Sequence, residues 1–189
     1  MHLTLTIDET IQQALRGEAS AQRKLFEAFA PQVFRVAMRY CELRADAEDV
    51  VQNTFIRVFN QLDSFRGEKG AFGAWVNRIA INESIRILRK RRPILFVETE
   101  NGLQHDVDPS PLVTDHLAAA DLRKLILQLP EGYRAVFNLH AIEGYSHQEI
   151  ATQLDITPAT SRSQLTRARR TLKQWVNAQS FNSPKTQIR

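Results

Sequence analysis

A single cysteine, Cys41, excludes an intramolecular disulfide and a zinc site built from cysteine pairs. It is read as a small hydrophobe inside a helix. No apolar run approaches the ~18 residues that span a bilayer. The opening MHLTLTIDETIQQAL carries Asp8 and Glu9 where a secretory leader would be basic, so a cytoplasmic protein is expected. The five histidines, His2, His105, His116, His140 and His147, show no metal-ligand spacing. There is no nucleophile motif, and the glycines of FRGEKGAFG fall at the wrong intervals for a phosphate loop. These shortages argue against an enzyme and against a cofactor, a metal or a small-molecule substrate.

The most informative shortage is of charge of one sign. From Asp155 to the C-terminus there is no further Asp or Glu, and from residue 93 to residue 121 there is no Lys or Arg. Residues 1–92 hold 15 basic against 11 acidic residues, residues 93–121 none against six, and residues 122–189 ten against four. A net charge of +4 therefore hides a basic, acidic, basic order. Two basic modules around an acidic connector point to a polyanionic partner.

The apolar spacing is helical nearly throughout. Val51, Phe55, Phe59 and Leu62 recur at helical intervals behind Asp46 as a candidate N-cap. A second helix is expected from about Ala74 to Arg91, with Trp75, Ile79 and Ile85 inside. SFRGEKGAF between them reads as a loop. Upstream, Leu25, Phe26, Phe29 and Phe34 lie on either side of Pro31, which is expected to kink or break the helix. From Pro93 to Asp115 the pattern dissolves into prolines, glycines and acids. Within that stretch ILFV, residues 94–97, fits a short strand and an anchoring segment equally well. Helical spacing resumes at Leu117, Leu122, Leu125 and Leu129, then at Val136, Phe137 and His140, with Gly144 as a stop. The expected fold is all-α. It has a helical domain at 1–92, an acidic flexible linker at 93–116, a helix-turn-helix domain at 117–176 and a polar tail at 177–189.

Ser146-His147-Gln148-Glu149 is a capping box, and Ile150 and Leu154 give the short helix behind it an apolar stripe. Asp155 stands at the turn, where an aspartate tolerates the left-handed conformation. Thr157-Pro158 restarts a helix as N-cap and first residue. Leu165, Ala168 and Leu172 form its buried side, with Ser163, Thr166, Arg167 and Arg170 opposite and Arg162 and Arg169 nearer the seam. Two short helices around a tight turn, the second basic outside, describe a DNA-binding helix-turn-helix. Arginines on that face can pair with guanine edges and neutralise phosphates. A second cationic run, Arg86 and Arg89-Lys90-Arg91-Arg92, ends the helix that begins near Phe65, Phe72 and Trp75. Aromatics beside a cationic track suit unstacked bases, although each ring taken singly is as well explained by the core.

DAEDVVQNTFIRVF, FRGEKGAFGAWVNRIAIN and RKRR resemble region two of the sigma-70 family, in its short extracytoplasmic-function (ECF) group. LPEGYRAVFNLHAIEGYSHQEIATQLDITPATSRSQLTRARRTL resembles region four. The likeness covers residues 20–92 and 117–173, in order and with a linker between. It implies a protein that binds core RNA polymerase, directs it to promoter DNA and helps to open the duplex. By that resemblance Asp49, Val50, Gln52, Asn53 and Arg57 serve polymerase docking. Phe65, Arg66, Phe72, Trp75, Asn77, Arg78, Asn82, Arg86, Arg89 and Lys90 would serve the single-stranded −10 element. Thr160, Arg162, Ser163, Gln164, Thr166, Arg167 and Arg170 would read the duplex −35 element. The acidic linker would thread the basic polymerase interior. Such proteins are commonly held by an anti-sigma factor, often at the inner membrane face, which no residue here identifies.

The sequence departs from the family at Asn53, where glutamate is common, at Arg86, where aspartate is common, and at Ala159-Thr160-Ser161 and Gln164 in the recognition helix. A stand-alone helix-turn-helix regulator of duplex DNA is the main rival, and it leaves DAEDVVQNTF and the first basic run unused.

Overall fold

The computed structural model describes residues 6–67, 71–91 and 119–182. The chain divides into two units, Met1–Arg91 and Arg92–Arg189. The linker with its ILFV segment, Leu117 and the end of the tail lie outside the described residues. Among the described residues every regular element is helical, so the fold is all-α, as the spacing requires.

The N-terminal unit contains α1 (Ile7–Leu15), α2 (Ala19–Ala37), α3 (Arg44–Asn60), a 3-10 turn (Leu62–Ser64) and α4 (Phe72–Arg91). A capping box starts α1. The Thr6 amide donates to Glu9 Oε2 at 2.8 Å, and the Glu9 amide donates to Thr6 Oγ1 at 3.3 Å. Pro31 does not break α2, which runs through it. Pro31 and Glu27, whose carbonyl loses its donor, are both exposed, so that carbonyl can turn to solvent. Asp46 is not the cap of α3 either. The helix starts at Arg44 behind Leu43, and Asp46 is a buried acid in its first turn, where the helix dipole favours negative charge.

Helix α2 packs on both α3 and α4, which pack on each other, and α1 lies on α2. The core joins Leu25 and Val33 of α2, Val50, Phe55 and Val58 of α3, and Val76, Ala80 and Ile85 of α4. Cys41 is buried, but in the turn after α2 rather than in a helix, against Ala37, Ala47 and Val50.

The C-terminal unit contains α5 (Ala119–Gln128), α6 (Glu131–Phe137), a π-helical turn (Asn138–Ile142), α7 (His147–Leu154) and α8 (Pro158–Asn182). The last helix passes the expected end of the domain at 176. Arg134 of α6 is 1% exposed and donates to the Leu127 carbonyl at 2.7 Å, which satisfies an end carbonyl of α5. The spacing gives no hint that α6 widens into a π turn, closed by the Glu143 amide on the Asn138 carbonyl at 3.0 Å. Gly144, at φ 78°, then takes the left-handed conformation that reverses the chain.

Asp155 is the only non-glycine residue among those described with positive φ, at 58°. Asp155→Val should lower the stability of this unit by about 1–2 kcal/mol, because a β-branched side chain meets the next carbonyl there. Asp155→Gly should cost less than half as much. Amide exchange in α7 and α8 reads the difference without interference from the other unit.

Candidate nucleic-acid interface

The helix-turn-helix is built by reciprocal caps. The Ser146 amide and hydroxyl both donate to Glu149 Oε2 at 2.8 Å, and the Glu149 amide donates to Ser146 Oγ at 3.3 Å. After Asp155 the Thr160 amide donates to Thr157 Oγ1 at 3.0 Å, which starts α8. Ile150 and Leu154 of α7 are buried in the same unit as Leu165, Ala168 and Leu172 of α8.

That burial sorts the seven residues expected to read duplex DNA. Arg162 and Arg170 are exposed, and Ser163, Thr166 and Arg167 are half-buried. Thr160 and Gln164 are corrections: at 7% and 6% exposed they share the buried stripe of Ser161, Leu165 and Ala168, one and two turns along, and are turned away from solvent. The hydroxyls of Ser163 and Thr166 donate back to the carbonyls of Thr160 and Arg162, each at 3.0 Å. Arg167 reaches the Tyr133 hydroxyl of α6 at 3.4 Å, so its guanidinium also ties α8 to its support.

The π turn brings two histidines together that the sequence sets seven positions apart. The rings of His140 and His147 stack at 4.4 Å and 13°. The His140 Nδ1 lies 2.9 Å from the Tyr145 carbonyl, and the His147 Nδ1 lies 2.9 Å from Ser161 Oγ on α8. Burial pushes the His147 pKa below its ordinary value, and His140, Arg162 and Arg169 push in the same direction. The stack therefore meets α8 at Ser161, with Arg162 and Arg169 close enough to act on His147.

In the N-terminal unit the head of α4 carries an aromatic cluster. Phe65 lies 5.3 Å from both Phe72 and Trp75, Phe72 and Trp75 are 5.7 Å apart, and Phe29 of α2 meets Phe72 at 5.1 Å. Phe72 is a correction: at 2% exposed it is the anchor of the cluster and has no face for a base. Phe65 and Trp75 are half-buried and keep ring surface outside. The loop folds closely over Phe65, since a Cβ on Gly67 would stand 2.5 Å from its ring. Arg66 is exposed and donates to the Asp63 carbonyl beside it.

From that cluster Arg78, Asn82, Arg86, Arg89 and Lys90 run along the exposed side of α4, with Asn77 half-buried at its edge. On α3, Asp49 and Gln52 are exposed, and Asn53 donates its side-chain amide to the Asp49 carbonyl at 2.7 Å. Val50, expected at the docking face, is wholly buried in the core and cannot touch a partner there. Ile56 takes its place on the surface at 58% exposed, and its only sequence signal is an apolar residue outside the core spacing. Arg57 does not extend freely into solvent. It is paired with Glu83 of α4, a residue that the sequence reading passes over. Among the described residues no three potential metal ligands converge, and no helix is long and apolar enough to cross a membrane.

The Sigma-70 region 2 family matches residues 25–94, and the Sigma-70, region 4 family matches residues 119–172. The ECF RNA polymerase sigma factor SigE of Mycolicibacterium smegmatis is 32% identical over 157 residues, which cover 81% of this chain and 60% of that protein. The ECF RNA polymerase sigma-E factor of Escherichia coli K12 is 31% identical over 176 residues, which cover 87% of this chain and 91% of that protein. Among solved structures, that of CnrH in complex with the cytosolic domain of CnrY covers 89% of this chain and 96% of that chain, at 26% identity and a TM-score of 0.48.

The histidine pair generates a pH prediction. Because the folded pKa of His147 is lowered, the unfolded chain binds the proton first as the pH falls. The stability of the C-terminal unit should be full above the ordinary histidine value of about 6.5 and decline below it. His147→Gln, which keeps a partner for Ser161, should flatten that decline when amide exchange in α7 and α8 is followed against pH. Parallel curves for the two chains would take the effect away from His147.

Proposed function

The chain belongs to the extracytoplasmic-function (ECF) sigma factors of the sigma-70 family, an alternative sigma factor that binds core RNA polymerase and directs it to promoters, and we propose that its two units divide promoter recognition between duplex and separated DNA. The observation that carries this division is the exposed side of α4. Arg78, Asn82, Arg86 and Arg89 form one polar stripe that begins beside the half-exposed rings of Phe65 and Trp75. A cationic track that starts at stacking surface suits a strand whose bases are unpaired. Helix α8 carries Arg162 and Arg170 exposed and follows a tight left-handed turn, which suits a helix laid into a major groove.

In this reading Asp49, Gln52 and Asn53, with Ile56 as an apolar anchor among them, offer α3 to the polymerase. Arg162 and Arg170 contact the −35 duplex, and Ser163 and Thr166 pack beside them. The bond-making chemistry stays with the polymerase, and the chain supplies binding and orientation alone. The partners are then core polymerase, promoter DNA and an anti-sigma factor, which would hold the free cytoplasmic chain at the inner membrane face.

The deciding experiment is in vitro transcription from fragmented source DNA with purified core polymerase. Discrete transcripts should form only when this chain is added. At promoters mapped in that way, the double substitution Arg162→Ala and Arg170→Ala should lower promoter use by tenfold or more, on the order of one lost base or phosphate contact each. Polymerase affinity should not change. Asp49→Lys should do the reverse and abolish co-elution with polymerase. Duplex binding by this chain alone, with no transcript, would instead make it an ordinary helix-turn-helix regulator.

A further inference from the structure

Glu83 is a buried carboxylate in the middle of a basic helix, its side chain 2% exposed. A charge so placed must be paired, because its desolvation is otherwise uncompensated. It has two partners from two helices. Arg57 of α3 engages Oε1 through Nε, and Arg86 of α4 engages Oε2 through Nε and a terminal nitrogen at 2.8 Å. Each carboxylate oxygen thus takes one arginine. Both arginine side chains remain about half exposed, at 48% and 49%. A guanidinium has five donors, more than one carboxylate oxygen takes up, so each arginine keeps hydrogen-bonding capacity directed outward.

The two arginines also share a side of the unit. At about 100° per residue, Arg57 stands about 80° round α3 from Asp49, whereas Gln52, Asn53 and Ile56 lie within about 60° of it. Arg57 is therefore at the margin of α3 beside α4 rather than in the middle of the docking stripe. Arg86 belongs to the exposed stripe of Arg78 and Asn82, one helical turn apart each. Two guanidiniums and one carboxylate leave one net positive charge, which matches the single negative charge of a phosphodiester. A phosphodiester, like a carboxylate, presents two oxygens on one centre. Cations that already straddle Glu83 on the inside can straddle a phosphate on the outside.

We propose that Arg57, Glu83 and Arg86 form a phosphate clamp for the separated promoter strand, with Glu83 as the positioning residue and the two arginines as the contacts. The proposal rests on the reading of α4 given above, and it moves Arg57 from polymerase docking to DNA. Pre-ordering is what Glu83 contributes: long side chains fixed before DNA arrives lose less conformational freedom on contact.

The sign of one substitution separates this role from plain electrostatics. Glu83→Gln raises the local positive charge, so a purely electrostatic surface would hold DNA more tightly. The clamp predicts a weaker hold. The test uses holoenzyme assembled from the full chain on a promoter mapped with the wild type, with single methylphosphonate linkages scanned through the non-template −10 strand. In the wild type one linkage should shorten the open-complex lifetime on the order of tenfold, as expected for one charged contact. In Glu83→Gln, Arg57→Ala and Arg86→Ala that linkage should cost less than twofold while the rest of the profile is kept. Arg57→Lys, which keeps the charge without the fork and leaves Glu83 paired, covers the case in which Glu83→Gln fails to fold. Polymerase affinity should be unchanged in Arg57→Ala. An unaltered linkage profile in the variants, a longer-lived open complex in Glu83→Gln, or loss of polymerase affinity in Arg57→Ala would each overturn the clamp. Failure of the wild type to open any promoter would overturn the functional reading and the clamp with it.

Discussion

Helix α8 depends on one apolar stripe, whose burial outweighs the mutual repulsion of its cations. Arg167 and Arg170, Arg169 and Lys173, and Arg170 and Lys173 are like charges three or four positions apart, and no acid follows Asp155 to offset them. Each such pair costs roughly 0.2–0.5 kcal/mol on an isolated helix. Burial of one leucine contributes roughly 1.5–3 kcal/mol, and Leu165 and Leu172 are both buried, with Ala168 and Val176 between and beyond. Packing wins by a clear margin. The apolar stripe thus carries the helix, and the Thr157 cap and the Asp155 turn fix where it starts.

Helix α4 meets the same constraint differently. Its cations lie along its exposed side, while its other side packs on α2 and α3. Pairs at the surface, such as Arg23 with Glu27 and Arg44 with Glu48, cross exposed positions and contribute little. Glu83 is of another kind, since it is buried and links α3 to α4 through two guanidiniums. The loss of either partner would leave a desolvated carboxylate half served, so the helices and their arginines are held in one register.

Much of this was legible in the sequence where a local rule has a fixed offset. The Ser146–Glu149 box, the aspartate at the left-handed turn and the Thr157-Pro158 restart all follow from neighbours within three residues, and the structure places them so. The same rule would have found α1, since Thr6 and Glu9 stand at the capping-box interval. What escaped the sequence depends on contacts between elements. Val50, Phe72, Thr160 and Gln164 lie in motifs that carry function, and only the packed helices decide that these members face inward. The π turn has no periodic signature, so the stacking of His140 on His147 is invisible until the chain is folded. Glu83 sits among bases as if to balance charge, and its burial, not its identity, gives it a role.

The two units hold their arginines in different ways, and the difference suits the targets proposed for them. Arg162 and Arg170 are exposed, and in the proposed reading they meet a rigid duplex with a fixed pattern of donors and acceptors. A separated strand is the opposite partner, flexible and without a fixed edge, so rigidity has to come from the protein. Ordering both sides at once would cost conformational entropy twice. Helix α4 meets this with the buried ring of Phe72 under Phe65 and Trp75 and with the buried carboxylate of Glu83 under Arg57 and Arg86. In both places a residue withdrawn from solvent fixes the side chains that remain in it.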